Sequence, residues 1–397
     1  MKFENDVVVV GGCGHVGLPL AIVLASRSLK VASYDLNEKV VAMVNGGQMP
    51  FNEPGADEML KRVLKNGKFS ATTEKSVVAT AEHVVVVIGT PIDEHMNPDP
   101  EVVPNAVAQL LTVLKDGQHL VLRSTVYPGV TRLVEEVVKK SNKKIDVSFC
   151  PERIAEGKAI DELSSLPQIV SARNEVALDR AKKLFANLTS NIVEVSPEEA
   201  ELAKLFTNTW RYIKFAAANQ LYTIANDFGV DFERVRQAIV HDYPRANDMP
   251  GAGFAAGPCL FKDTMQLAAF NNNNFTLGHS SMLINEGLPL YLVSRVEAKY
   301  DLSKLTVGIL GMAFKAESDD TRSSLAYKLK RILKFKAGSV VCADSLVSED
   351  HSLISETDLI DRADLIIIGA PHKRYASLKI TKTVVDIWNV RGQGVLI

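Results

Sequence analysis

Val7-Val-Val-Val10-Gly-Gly12-Cys-Gly14-His15-Val16-Gly17 decides the fold of the first part of the chain, together with Leu18 to Ala25 and with Val31 to Tyr34 and Asp35. Four consecutive valines read as a short parallel strand buried on both faces. The glycine run opens an apolar helical stretch, a second strand follows, and an acid stands at its end. Strand, GxGxxG, helix, strand, acid is the order of a dinucleotide-binding unit. Gly12 makes the tight turn. Gly14 lets a pyrophosphate approach the backbone and the helix N-terminus, with His15 and Val16 on the same turn, and Gly17 lets helix pack on strand. The context points to a nicotinamide or flavin site. Asp35 would bond ribose hydroxyls and repel a 2′-phosphate, which favours NAD over NADP.

The alternation of strand and helix continues. Val84 to Ile88 ends at Gly89-Thr90-Pro91, and Leu120 to Leu122 ends at Ser124-Thr125-Val-Tyr-Pro128-Gly129. Ligands of open α/β sheets lie beyond the carboxyl ends of the strands, so Thr90 and Thr125 are placed to meet cofactor or substrate. They also suit helix N-caps, and the two roles are compatible. Ile145 to Phe149 delivers Cys150-Pro151-Glu152-Arg153-Ile-Ala-Glu156-Gly157. Two acids and an arginine at a strand end are poor core material, and surface ion pairing is the plainer alternative. Cys150 reads as packing. This first domain, 1–187, is expected to be the NAD-binding one.

A middle segment, 188–300, is expected to be helical and to form the dimer surface. Pro197 opens a long helical pattern that Gly229 ends, and Ser196 with Glu199 has the spacing of a capping box. Glu201, Lys204 and Asn208 share one face of that helix. An exposed ion pair would account for the first two. Asn208 sits in an apolar run, where an unbonded buried amide costs about 1–3 kcal/mol. Further helices are read over 231–240, 264–270 and 280–300. Between them lies Gly251-Ala-Gly253-Phe-Ala-Ala-Gly257-Pro-Cys259-Leu-Phe-Lys262-Asp263, too glycine-rich for a helix interior. A thiol beside a cation is a better nucleophile at neutral pH. The bland alternative for Cys259 is a small buried hydrophobe.

From 301 to 397 a second parallel α/β unit is expected, with strands at Leu305 to Leu310, Val340 to Cys342, Leu365 to Ile368 and Thr383 to Asp386, and no GxGxxG. Phe314 and Lys315 follow the first of these strands, and Arg322 lies shortly beyond. Cations at a strand-to-helix turn suit an anionic, nucleotide-like ligand. The fold class is therefore α/β: two Rossmann-like parallel-sheet domains joined by a long central helix and a helical middle segment.

At 397 residues the chain exceeds one ordinary core. Its formal net charge of −2 gives no basic surplus for nucleic acid. Cys13, Cys150, Cys259 and Cys342 lie far apart with no CxxC, which argues against a metal site or a disulfide framework and fits a cytoplasmic location. No apolar run reaches the ~20 residues that span a bilayer, so no membrane partner is expected.

With these residues in view, the whole chain resembles the UDP-glucose/GDP-mannose dehydrogenase family, the nucleotide-sugar 6-dehydrogenases. The matching elements are Gly12 to Gly17 (GxGxVG), Asn52-Glu-Pro-Gly55, Thr90-Pro91, Ser124 to Gly129, Pro151 to Gly157, Glu201/Lys204/Asn208, Cys259/Lys262/Asp263 and Phe314-Lys315 with Asp320-Thr321-Arg322. The resemblance implies oxidation of the C6 alcohol of a UDP-sugar to a carboxylate, with two NAD reduced. It implies Cys259 as nucleophile, through a thiohemiacetal and a thioester. Lys204 would stabilise the alkoxide, with Asn208 donating to the same oxygen. Asp263 and Thr125 would hold the hydrolytic water, with Asp263 as base, and Glu152 would be a further acid–base or water-positioning carboxylate. Lys315 and Phe314 would bind the UDP end. Gly253 and Gly257 would line the sugar loop beside Glu152 and Arg153. Glu156 and Arg322 would join the cofactor site. Arg245 would reach the neighbouring site of a homodimer.

Some positions depart from the family pattern. Arg153 after Glu152 resembles the branch acting on UDP-N-acetylhexosamines, whereas Cys259-x-x-Lys262-Asp263 is closer to the glucose branch. Ala255 and Ala256 replace usual glycines, and Asn219-Gln220 replaces a usual Asn-Glu. A UDP-N-acetylhexosamine is favoured, with UDP-glucose the alternative. More distant readings are a two-electron β-hydroxyacid dehydrogenase and a non-catalytic NAD-binding regulator.

Overall fold

A computed structural model describes residues 3–93 and 97–397. The chain divides into two compact units, one ending at Phe206 and one running from Thr207 to Ile397.

In the first unit the elements are β1 (Asn5–Val10), α1 (Gly17–Ser26), β2 (Val31–Tyr34), α2 (Glu38–Asn45), α3 (Ala56–Lys65), β3 (Phe69–Thr72), β4 (Ala81–Val86), α4 (Val102–Leu110), β5 (His119–Leu122), α5 (Val130–Lys140), β6 (Asp146–Phe149), α6 (Ala159–Ser165), β7 (Gln168–Ala172), α7 (Glu175–Phe185) and β8 (Ile192–Glu194). One eight-stranded sheet has the order β3-β2-β1-β4-β5-β6-β7-β8. All its pairings are parallel except β6 with β7. The valine run lies at its centre, with Val8 opposite Ala32 on one side and Val84 on the other. Val7 and Val9 pack with α1 and α3, while Val8 and Val10 pack with α4 and α5. Burial on both faces is why the strand has no polar alternation. The strand order reverses between β1 and β4, which opens a crevice at their carboxyl ends.

The helix α8 (Pro197–Asp227) runs across the division between the units. Its start is the capping box read from the sequence: Ser196 N donates to Glu199 Oε2 at 2.7 Å, and Glu199 N donates to Ser196 Oγ at 3.4 Å. Gly229, at φ +82°, follows its end.

The second unit continues with α9 (Phe232–Val240), α10 (Leu260–Phe270), α11 (Thr276–Glu297), β9 (Thr306–Leu310), α12 (Leu325–Leu333), β10 (Ser339–Ala343), α13 (Glu356–Arg362), β11 (Leu365–Ile368) and β12 (Thr383–Val385). Its four strands, in the order β10-β9-β11-β12, are all parallel. Residues of α8, α11 and α12 share one apolar cluster with β9 and β11.

Two helices differ from their expected spans. The helix α10 begins at Leu260, with Cys259 at its N-cap, and α11 covers 276–297 with Pro289 inside it. The sequence reading also passes over β3, β7 and β8. These are three to five residues long and hold no more than two apolar residues in succession, so they give no apolar run.

Candidate active site

In the first unit the turn after β1 is built for a dinucleotide. A Cβ on Gly12 would lie 2.5 Å from Val9 O, and one on Gly17 would lie 2.4 Å from Gly11 O. Gly14 is exposed, and a Cβ there would meet only Gly11 O, at 3.9 Å. That opening is where a phosphate can come against backbone. The helix α1 has no side-chain cap and no acid in its first turn, so no carboxylate of its own competes with an anion at its N-terminus. Asp35 Oδ2 accepts from Cys13 N at 3.0 Å, which draws the acid onto the turn. His15 stacks on Phe51 with ring centroids 4.1 Å apart, and Val16 is half-buried. These residues fit a bound NAD: Gly12, Gly14 and Gly17 would shape the pyrophosphate cradle, and Asp35 would meet the ribose. Thr90 Oγ1 donates to Thr125 O at 2.6 Å, which joins the ends of β4 and β5 at the crevice. Pro91 beside it is exposed.

Two buried carboxylates fix the loops around this crevice. Glu201 accepts from Gly129 N at 2.6 Å and Thr131 N at 2.8 Å, so it caps α5 and holds the loop that carries Thr125. Glu53 accepts from Gly157 N at 2.7 Å and Ala159 N at 2.8 Å, and so caps α6 and the loop of Glu152 and Glu156. Glu152 itself is engaged from every side. Its Oε2 pairs with the fully buried Arg123, whose Nε lies at 3.0 Å. Its Oε1 accepts from Arg153 N at 2.7 Å and Ile154 N at 3.1 Å. Arg123 also donates to Cys150 O and Gln168 Oε1, both at 2.9 Å, over the ring of Phe185. Arg153 is half-buried and donates to Pro167 O, and desolvation lowers its pKa. Cys150 is inaccessible and burial pushes its thiol up to about 12, so it packs rather than reacts. Lys204 is half-buried on α8.

The second unit holds the thiol. Cys259 is exposed, at the N-cap of α10. Its loop is pinned from below by Asn219, which is buried on α8. Asn219 Oδ1 accepts from Gly253 N and its Nδ2 donates to Gly253 O, both at 2.9 Å. Gly253 (φ +151°) leaves no room for a Cβ, which would lie 2.1 Å from the Trp388 ring. At Gly257 (φ +100°) a Cβ would lie 2.6 Å from the Phe314 ring. The glycines thus let two aromatic rings close on the loop backbone. One turn beyond Cys259, Asp263 is buried. Its Oδ2 accepts from Asn208 Nδ2 at 2.5 Å, and Lys262 Nζ stands 3.0 Å from its Oδ1. Near the β9 turn, Lys315 Nζ lies 5.3 Å from the Phe314 ring centroid, and Arg322 folds back onto Asp320 with its Nε 2.9 Å from Oδ2. Arg245 is exposed over the ring of Tyr243.

A thiol at a helix N-cap, one turn from a buried amide–carboxylate pair with an ammonium beside it, suits covalent chemistry at a carbonyl carbon. Three family models match the chain in order: the NAD binding domain of the UDP-glucose/GDP-mannose dehydrogenase family over residues 6–189, its central domain over 198–286 and its UDP binding domain over 308–393. The chain belongs to the UDP-glucose/GDP-mannose dehydrogenase family. It is an NAD-dependent nucleotide-sugar dehydrogenase. Among curated relatives, UDP-N-acetyl-D-mannosamine dehydrogenase of Pyrococcus horikoshii is 29% identical over 384 residues, covering 94% of this chain and 90% of its own length. UDP-glucose 6-dehydrogenase AglM of Haloferax volcanii is 29% identical over 394 residues, covering 92% and 91%. A solved UDP-glucose dehydrogenase from Pyrobaculum islandicum superposes with a TM-score of 0.90 at 28% identity, covering 96% of this chain and 94% of that one. Among the described residues no helix is long and apolar enough to cross a membrane.

Glu53, Arg123 and Asn219 hold the loops that carry candidate site residues, and none is among the site residues that the sequence predicts. Arg123 gives a signal of its own, a charge at the end of the apolar strand β5. Asn219 gives the same signal as Asn208, an amide inside an apolar helical run.

Proposed function

We propose that this enzyme oxidises the C6 hydroxymethyl group of a UDP-N-acetylhexosamine to the carboxylate in two successive two-electron steps. The exposed Cys259, on a loop pinned by Asn219 and one turn from Asp263, is the observation that carries the reading. Bound NAD supplies the hydride acceptor in each oxidation. Lys204 and Asn208 stabilise the alkoxide as the alcohol loses its proton. The Cys259 sulfur adds to the aldehyde carbon and forms a C–S bond, and the resulting thiohemiacetal keeps the intermediate attached. Loss of a second hydride and a proton leaves a thioester. Asp263 takes a proton from water, which adds to the carbonyl as the C–S bond breaks. The net change is alcohol plus two NAD⁺ plus water to carboxylate plus two NADH plus three protons. Thr125 positions the water. Glu152, held by Arg123, orders the loop that carries Arg153 and Glu156 and acts as a positioning carboxylate.

In this reading 1–187 binds NAD, 188–300 carries the thiol loop and 301–397 holds the UDP end through Phe314 and Lys315, with Gly253 and Gly257 lining the sugar loop. Arg322 serves the cofactor or phosphates. Arg153 and the relatives named for UDP-N-acetyl-D-mannosamine support the N-acetylhexosamine; UDP-glucose is the second reading. The enzyme works in the cytoplasm as a homodimer. The support is the exposed Trp210, Leu221 and Ile224 on α8 and Phe228 just after it, and Arg245 is assigned to the neighbouring site.

A panel of UDP-N-acetylmannosamine, UDP-N-acetylglucosamine, UDP-N-acetylgalactosamine and UDP-glucose, read as NADH per uronate, tests the assignment. Two NADH per acid, with an N-acetylated sugar preferred, is the expected result. One NADH per turnover rules it out. Cys259→Ser should bind NAD as the parent does and release no uronate. A fully active monomer in sedimentation would remove the dimer.

A further inference from the structure

The two units use one device at their first turns. After β1, Gly11 (φ +73°) donates its N–H to Tyr34 O, and a Cβ there would meet Val87 O. After β9, Gly311 (φ +96°) donates to Ala343 O, and a Cβ there would meet the Ala370 backbone. Each following strand ends in an acid, Asp35 or Asp344. The acids then diverge. Asp35 is half-buried and its Oδ2 takes one N–H of the turn. Asp344 is buried, and its Oδ2 accepts from Met312 N at 2.7 Å, from Ala313 N at 3.0 Å and from His372 Nε2 at 3.1 Å. Its Oδ1 accepts from Leu346 N at 3.0 Å. An acid so saturated cannot serve a ribose; it holds its own turn.

His372 is the bridge in that arrangement. It is 1% exposed. Its Nδ1 accepts from Glu317 N at 2.9 Å, which places the ring proton on Nε2, the atom that faces Asp344. Glu317 has φ +54°, so this bond holds the backbone in a conformation that a glutamate rarely adopts. Glu317 Oε1 in turn accepts from Lys373 N at 2.8 Å. The segment from Met312 to Glu317, with Phe314 and Lys315 on it, is therefore tied at its start to Asp344 after β10 and at its end to His372 and Lys373 after β11, and His372 joins the two ties.

We propose that His372 is a positioning residue for the UDP end of the substrate, acting by pre-organising the Phe314–Lys315 segment. This deepens the function proposed above and rests on it. A segment already held in its binding geometry loses less entropy when the ligand arrives.

The test uses the full chain and UDP as probe, with NAD titrated in parallel. The parent is measured first: failure to bind UDP would remove the functional reading and this proposal together. If the parent binds, His372→Phe, which severs both bonds, should weaken UDP by about tenfold. It should leave NAD affinity unchanged and speed amide exchange in the peptide covering 312–318. His372→Gln, whose amide reaches toward Nε2, should recover part of the loss. Unchanged UDP affinity in a folded His372→Phe, or equal loss of UDP and NAD, overturns the positioning role and leaves the functional reading standing. Should the Phe variant fail to fold, His372→Asn and His372→Gln each cut one of the two bonds. The role is sustained if either weakens UDP alone and overturned if neither does.

Discussion

Asn208 on α8 donates to Asp263 on α10 at 2.5 Å, and both side chains are buried. The bond fixes the carboxylate rotamer. Asp263 Oδ1 is buried and ion-paired with Lys262, whose Nζ is 3.0 Å away. A carboxylate held in one rotamer one turn from the thiol suits the general base that the proposed sequence assigns to the water. In the proposed sequence that water acts last, after both oxidations. Asp263→Asn should therefore lower steady-state turnover by roughly 10²–10⁴-fold, while a rapid-mixing experiment still shows a burst approaching two NADH per site. A variant with no burst would place Asp263 before the thioester.

Glu201 shares a helix face with Lys204 and Asn208, and its spacing suggests an exposed ion pair. Instead it is 1% exposed and caps α5 through Gly129 N and Thr131 N. Glu201→Gln keeps the shape but turns an N–H donor toward another donor. The first unit should lose about 1–3 kcal/mol in denaturant unfolding. The loop that carries Thr125 should exchange its amides faster. An unchanged unfolding midpoint would mean that α5 does not depend on this carboxylate.

Glu152 offers a sharper choice between chemistry and architecture. Removing its charge leaves Arg123 ionised, buried and unmatched. Glu152→Gln should cost about 3–5 kcal/mol of stability, as a lowered Tm of the first unit. Replacing both residues, as Arg123→Met with Glu152→Leu, should recover most of that loss. If Glu152→Gln is as stable as the parent yet inactive, the carboxylate works on protons rather than on the loop.

These cases mark what was legible beforehand. The cofactor turn was readable because its signal is local: four valines, three glycines and Asp35 lie within 29 residues of one another. The group around Cys259 was readable through motif elements. What could not be read is where a buried charge finds its partner. Glu53 reaches Gly157 and Ala159, Arg123 reaches Glu152, and His372 reaches Asp344, each across strands whose order is a tertiary property. Spacing along the chain carries no record of such pairings. The same holds for β8, a short edge strand defined only by its pairing with β7.

The last prediction concerns acid. His83 Nδ1 and His119 Nδ1 lie 2.9 Å apart, and His119 Nε2 lies 2.8 Å from Ser148 Oγ, which donates to Ala177 O at 3.1 Å. Since Ser148 spends its proton on Ala177, His119 Nε2 must donate to Ser148, and His119 Nδ1 then accepts from His83 Nδ1. His119 is therefore neutral, and protonating it sets donor against donor. Burial pushes His83 down to about 4, and burial together with the charge of His83 pushes His119 well below its ordinary value. A histidine pKa depressed by folding means that the unfolded chain binds more protons. Stability is then complete above about pH 6.5, the unfolded value, and falls as the pH drops toward about 4. Each histidine contributes up to about 1.4 kcal/mol per pH unit within that window. Tm measured from pH 7.5 to 5 should fall, and His119→Gln, which carries no titrating ring, should flatten the slope. An equally steep slope in that variant would assign the acid sensitivity to other groups.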